Sequence, residues 1–79
     1  MNAHPLQRVS RLWQVESGAN RLSCGVYRDE QGSTLLRLES PDAVVFSLPF
    51  GFEPRMLARA RAVRASLLRQ GWSDVEDGR

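Results

Sequence analysis

The sequence predicts an α+β fold: a four-stranded antiparallel β-meander followed by one C-terminal α-helix packed on one face of the sheet (ββββα, two layers). Three observations predict it. Residues 8–50 alternate apolar and polar side chains in four runs, which is the strand pattern. Short turn-forming segments separate the runs, so the expected strand order is 1-2-3-4. Residues 53–71 instead space apolar side chains as a helix does.

The first two predicted strands lie on either side of the turn SGAN, residues 17–20. Both runs contain β-branched or aromatic residues, which favour strands. The apolar residues that alternation places on one face are Val9, Trp13, Val15, Leu22, Cys24 and Val26. We expect this face to be the one that the helix covers.

The last two predicted strands follow the turns DEQG, residues 29–32, and SPD, residues 40–42. Glycine, aspartate, serine and proline are the usual turn residues. The apolar residues that share a face are Leu36, Leu38, Val44, Phe46, Leu48 and Phe50. Pro49 cannot donate a backbone hydrogen bond, so it indicates that the fourth strand is an edge strand.

The helix is expected after the segment GFEP, residues 51–54, with Pro54 in its first turn. Gly71 is placed to end it. The apolar stripe of the helix is Met56, Leu57, Ala60, Val63, Leu67 and Leu68. The 79 residues make one small domain, with a loose N-terminus at 1–7 and an acidic tail at 73–79.

Candidate catalytic and metal-binding residues are too few for an enzyme. His4 is the only histidine and Cys24 the only cysteine. Cys24 is predicted to point into the core as an inert thiol, and no serine has an imidazole base beside it in the sequence. The sequence therefore predicts no catalytic residue, no metal site and no cofactor. No apolar run has the length of a signal peptide or a membrane span, so we expect a cytoplasmic protein with no membrane partner.

The predicted helix carries most of the unbalanced charge. The chain has a net charge of +2 and contains no lysine, and residues 53–71 hold five arginines against one acid, Glu53. Arg64 falls inside the apolar stripe, so we expect its stem to pack and its head to pair with a carboxylate at the sheet edge. The other four are candidate nucleic-acid contacts: Arg55, Arg59, Arg61 and Arg69.

Two interpretations of these arginines stay open. At about 100° per residue, Arg55, Arg59 and Arg69 share the side of the helix away from the core. That arrangement suits weak, salt-sensitive, sequence-nonspecific binding to a phosphate backbone. Arginine and alanine are also strong helix formers, and a lysine-free composition rich in both is typical of GC-rich bacterial genomes. The second interpretation is a solvated helix surface without a partner.

The face of the sheet away from the helix is the other candidate surface. The candidate interface residues on it are Leu12, Tyr27, Leu35, Arg37 and Val45. Tyrosine and arginine over apolar residues are typical of protein interfaces. We expect Tyr27 beside Leu35, Arg37 between Gly25 and Val45, and Leu12 beyond Gly25. Glu16, Arg21 and Glu39 are expected to cluster at one end of this face as cross-strand ion pairs. The leading functional hypothesis is therefore a non-enzymatic binding domain that contacts an unknown protein partner or forms a homodimer; nucleic-acid binding is the alternative.

Overall fold

A computed structural model describes residues 7–51 and 53–75. They form an antiparallel sheet with one helix against one face. The elements are β1 (Gln7–Ser17), β2 (Asn20–Arg28), β3 (Thr34–Glu39), β4 (Val44–Phe50), α1 (Glu53–Arg69) and β5 (Ser73–Asp74). The sheet order is β4-β3-β2-β1-β5. The predicted α+β meander with a C-terminal helix is confirmed, and β5 adds a short strand at one edge.

The three predicted turns join neighbouring strands. Gly18 adopts φ 61° in the two-residue loop between β1 and β2, a conformation that other residues rarely adopt. The Asp29 carboxylate accepts hydrogen bonds from the backbone N–H groups of Gln31 and Ser33, both at 2.9 Å. The Ser40 hydroxyl accepts one from the Ala43 N–H at 3.1 Å. Local side chains therefore fix the turns that set the meander.

The C-terminus of α1 closes in a Schellman motif. Gly71 takes φ 106° and its N–H donates to the Leu68 carbonyl at 3.2 Å. The Trp72 N–H donates to the Leu67 carbonyl at 3.1 Å. These two bonds satisfy carbonyls that the helix leaves unpaired. They also turn the chain back toward the sheet, where β5 begins.

The core lies between α1 and the face of β1–β4 that α1 covers. Its buried cluster is Cys24, Val26, Leu36, Leu38, Met56 and Ala60. Trp13 packs against this cluster, and its Nε1–H donates to the Ala60 carbonyl at 3.1 Å, which fixes the helix against β1. Burial raises the pKa of the Cys24 thiol to about 11, so Cys24 stays protonated and unreactive at neutral pH.

A bulge in β1 changes the predicted position of Leu12. The pairing of β1 with β2 shifts register between Arg11 and Trp13, because a bulge inserts an extra residue and breaks strict alternation. Leu12 consequently packs against the core cluster. Alternation predicted that Leu12 lies on the open face, and this prediction is wrong. Arg11, not Leu12, takes the position opposite Gly25.

A second irregularity, in β4, corrects the predicted neighbour of Arg37. The pairing shifts register between Leu38 and Glu39, so Ser47 lies opposite Arg37 and Val45 does not. The predicted pairs Tyr27–Leu35 and Gly25–Arg37 are both observed. The central strands therefore keep the register that the turns imply.

The structure also differs from the prediction in part of the acidic tail and in the apolar stripe of the helix. Ser73 and Asp74 pair with β1, and the Val75 N–H donates to the Gln14 carbonyl at 2.9 Å, because the Schellman motif directs the chain along the open edge of β1. Residues 76–79 and 1–6 lie outside the described residues. Leu57 was expected in the apolar stripe, but it is 37% exposed.

Candidate functional site

The open face of the sheet, opposite α1, carries a side-chain cluster of Tyr27, Arg37 and Glu39. β2 and β3 place all three on the same face. The Tyr27 hydroxyl donates a hydrogen bond to the Glu39 carboxylate. The Arg37 guanidinium carbon lies 4.8 Å from the centroid of the Tyr27 ring, which is cation–π distance. We call these three residues the tyrosine cluster.

Arg37 and Glu39 also form an ion pair within the tyrosine cluster. Arg37 Nε lies 3.2 Å from Glu39 Oε1. The geometry is not that of a hydrogen bond, because this buried nitrogen has no hydrogen-bond partner among the described residues. The attraction is therefore mainly Coulombic, and it acts across side chains that are each only 24% exposed.

Gly25 lies close to the β1 backbone and to the Tyr27 ring. A Cβ at Gly25 would lie 3.0 Å from the Ser10 carbonyl oxygen, which is tighter than normal contact, and 3.4 Å from Tyr27 Cε1, which is ordinary van der Waals contact. Glycine therefore lets β1 approach this position closely. Tyr27 is only 9% exposed although no helix covers it. Burial, followed by the hydrogen bond to Glu39, raises the Tyr27 pKa above its ordinary value.

The structure brings together some of the predicted interface residues and separates others. Tyr27, Leu35 and Arg37 lie together on the open face. Val45 is 56% exposed at the start of β4, at the irregularity near Glu39. Leu12 lies on the helix side. Of the five predicted interface residues, Tyr27, Leu35 and Arg37 therefore form the centre of the candidate surface.

Glu39 is the member of the cluster that sequence reasoning assigned elsewhere. It was expected to join Glu16 and Arg21 at one end of the sheet. Glu16 and Arg21 do pair, at 3.4 Å, whereas Glu39 contacts Arg37 and Tyr27. The spacing of Arg37 and Glu39, two residues apart on one strand, was the available signal, since such residues share a face.

The helix arginines fall into two groups. Arg64 pairs with Asp74 of β5 through two hydrogen bonds, one of them from Nε to Oδ1 at 3.0 Å. This supplies the predicted carboxylate partner at the sheet edge, and the Arg64 hydrogen bond lowers the Asp74 pKa. The remaining four are exposed and pair with no carboxylate among the described residues: Arg55, Arg59, Arg61 and Arg69.

Other chemistry is sparse in the part of the chain that the structure describes. No three histidine, cysteine, aspartate or glutamate side chains there are grouped so that they could hold a metal ion. His4, the only histidine, lies outside the described residues. Over the described ranges, no helix has both the length and the apolar character needed to cross a membrane.

Comparison with known proteins does not assign this chain to a family. No protein-family model matches it, no curated protein matches it, and no solved structure matches it. Arguments about function therefore rest on its own residues.

Proposed function

We propose that this chain is a small non-enzymatic binding domain that self-associates through the open face of its sheet. The observation that carries the proposal is the tyrosine cluster. It is a buried tyrosine ring with two charged side chains that are each 24% exposed, on a face that no described element covers. Tyrosine and arginine are the residue types that most often dominate the binding energy of interfaces.

The internal contacts of the cluster favour binding. Tyr27, Arg37 and Glu39 hold one another through a hydrogen bond, an ion pair and a ring contact. Their rotamers are therefore restricted before any partner arrives. Side chains that are already ordered lose less conformational entropy on association, which lowers the free-energy cost of forming an interface.

A second copy of this chain is the occupant that the charges favour. A two-fold interface must be self-complementary, because it places the same surface on both sides. The open face carries both signs: Arg37–Glu39 and Arg21–Glu16 form ion pairs, and Arg8 and Arg11 of β1 lie opposite Tyr27 and Gly25. An arginine of one copy can therefore meet a carboxylate of the other. A chain of 79 residues also has a thin stability margin, which burial of a second sheet face would widen.

Sedimentation equilibrium with matched variants tests this proposal. Ser47 is exposed and lies opposite Arg37. In the monomer, the carboxylate of Ser47→Glu lies beside the positive charge of Arg37. In the dimer, the same carboxylate lies at the centre of the interface. We expect the wild type to approach twice its mass of 8.9 kDa as concentration rises, and Ser47→Glu to stay monomeric. Ala58→Glu on α1 makes the same charge change elsewhere and should dimerise. A wild type that is monomeric throughout would overturn the proposal.

A second candidate function is weak, sequence-nonspecific binding of nucleic acid through α1. It is favoured by the four exposed helix arginines that pair with no carboxylate among the described residues. Arg55, Arg59 and Arg69 share a sector of roughly 80° at 100° per residue. About three phosphate contacts would make log K fall with log salt at a slope of about −3.

Fluorescence anisotropy of a labelled mixed-sequence duplex, at low and moderate salt, tests this second function. We expect saturable binding by the wild type and its loss in R55Q/R59Q/R69Q. The control R8Q/R11Q/R28Q removes the same charge from exposed arginines on β1 and β2 and should retain most of the affinity. Equal losses in the two triple variants would show a response to net charge alone, and would overturn a site on α1.

A further inference from the structure

A register shift in β1 brings Arg8 and Arg11 together on the open face of the sheet. In a regular strand, residues three apart lie on opposite faces. Here the pairing of β1 with β2 shifts between Arg8 and Ser10, and the extra residue of such a bulge changes the face to which the following residues point. Arg8 consequently lies opposite Tyr27, and Arg11 lies opposite Gly25. Because Tyr27 and Gly25 are two residues apart on β2, their partners on β1 are spaced by about 7 Å.

The side chains of these two arginines have no charged partner. A Cβ at Gly25 would lie 3.7 Å from Arg8 Cδ, so the stem of Arg8 leans toward the position that Arg11 faces. Arg11 donates to the uncharged Gln14 amide oxygen at 3.4 Å. Both arginines are exposed, and neither pairs with a carboxylate among the described residues. Two neighbouring guanidinium groups with free donors favour an anion that both can contact.

The carboxylates that the strands place on the open face are already paired. Glu16 and Glu39 each form an ion pair with another arginine, which leaves Arg8 and Arg11 as the excess positive charge. A two-fold interface repeats the same surface on both sides. Association of two copies through this face would therefore bring the excess arginines of both into one interface. Like charges that meet there weaken it, unless an anion enters with them.

We propose that Arg8 and Arg11 bind phosphate, and that the bound phosphate strengthens self-association through the open face. This inference rests on the proposed self-association. Phosphate suits the pair because its oxygens accept hydrogen bonds from two guanidinium groups at once, and because the dianion neutralises two arginines. A ligand enclosed between two copies must also be small, which favours free phosphate over the phosphodiester chain of a nucleic acid.

Sedimentation equilibrium in chloride and in phosphate, at equal ionic strength and slightly alkaline pH, tests the linkage. We expect phosphate to lower the dimer dissociation constant of the wild type about tenfold, since one exposed charge contact on each copy is gained. R8Q/R11Q should dimerise in chloride at least as tightly as the wild type and respond to phosphate by less than about twofold. The control R55Q/R59Q removes the same charge from exposed arginines on α1 and should respond as the wild type does.

The results separate this inference from the proposed function. A wild type that is monomeric in both buffers would overturn the self-association and this inference with it. A wild type that dimerises equally in both buffers would overturn the inference alone. An equal effect of phosphate on the wild type and R8Q/R11Q would also overturn it, because phosphate would then act by general exclusion from the protein surface.

An NMR titration of the arginine Nε–H signals in dilute protein locates the anion. We expect phosphate to produce saturable shifts at Arg8 and Arg11, and shifts at Arg55 and Arg59 that grow without saturating. Saturable shifts confined to α1 would overturn the site. A single-stranded oligonucleotide that shifts the Arg8 and Arg11 signals and keeps the protein monomeric would also overturn it, because the face would then bind nucleic acid.

Discussion

The open face of the sheet and the outer surface of α1 both carry arginines, but in opposite surroundings. On the open face, Arg21 and Arg37 each pair with a carboxylate, and Arg37 also lies over Tyr27. On α1, Arg55, Arg59 and Arg69 are exposed and contact no carboxylate among the described residues. Arg21 and Arg37 therefore organise side chains of the sheet surface, whereas the three helix arginines leave their guanidinium groups available to anions.

The two surfaces differ because the sheet and the helix place different residues beside their arginines. Arg21 on β2 finds Glu16 directly opposite it on β1, because adjacent strands place side chains side by side on one face. Arg37 finds Glu39 two residues further along β3, on the same face. On α1, the positions that neighbour the arginines hold mostly alanine, and Glu53 is the one acid of the helix. The free energy of unfolding should therefore depend on the contacts that the sheet arginines make, and very little on the contacts of the helix arginines.

Tyr27→Ala should produce the largest loss of stability. It removes a buried aromatic ring together with the contacts to Arg37 and Glu39, and we expect the free energy of unfolding to fall by about 3 kcal/mol. R55Q/R59Q/R69Q should change it by no more than about 0.5 kcal/mol. Urea unfolding of both variants measures this contrast. A triple variant as unstable as Tyr27→Ala would refute the assignment of stability to the sheet face.

Tyr27→Phe removes only the hydroxyl group and should have an intermediate effect. We expect the free energy of unfolding to fall by about 1 kcal/mol at neutral pH. Because folding raises the Tyr27 pKa above its ordinary value of 10.0, the stabilisation is fully present below that pH. It is lost as pH rises through the folded pKa.

Urea unfolding of the wild type and Tyr27→Phe at neutral and at strongly alkaline pH follows this loss. The wild type should lose more stability than Tyr27→Phe on the alkaline side. A constant difference between the two proteins across this range would contradict the hydrogen bond from Tyr27 to Glu39.

Asp74→Asn should have the smallest effect and should act locally. Arg64 is the one helix arginine paired within the described residues, and its loss of a partner should loosen β5. We expect the Val75 amide, which donates to Gln14, to exchange with solvent about threefold faster. Glu53→Gln, an acid without a described ion pair, is the control and should leave this rate unchanged.

The ion pair of Arg64 with Asp74 should also make the attachment of β5 to β1 depend on pH in the acid range. The Asp74 pKa is below its ordinary value of 3.8, so the stabilisation is present above that pH and is lost as pH falls through the folded pKa. NMR of Val75 during acidification should show β5 detaching in the wild type. A Val75 environment in Asp74→Asn that titrates as in the wild type would assign the acid transition to another group.

The meander and the helix were predictable because local signals determine them. Gly18, Asp29 and Ser40 fix turns that are recognisable in the sequence, and Gly71 ends the helix as expected. The centre of the candidate surface was also predictable, since the pairs Tyr27–Leu35 and Gly25–Arg37 follow from the turns.

The bulges and β5 were not predictable. Alternation assumes a period of two, and nothing in the residues around Leu12 or Val45 signals where an extra residue will be inserted. β5 forms because the Schellman motif directs Ser73 and Asp74 onto β1, which is a tertiary outcome. Periodicity also predicts two side-chain placements wrongly: Leu12 packs against the core cluster, and Leu57 is 37% exposed.

A soluble gadolinium chelate compares the two surfaces in one experiment, because it broadens the NMR signals of methyl groups that solvent reaches. With the wild type at high concentration, the methyl signals of Leu35 should be protected and those of Ala58 and Ala62 broadened. Ser47→Glu should remove the protection at Leu35. Equal broadening of all three residues in the wild type would contradict self-association through the open face.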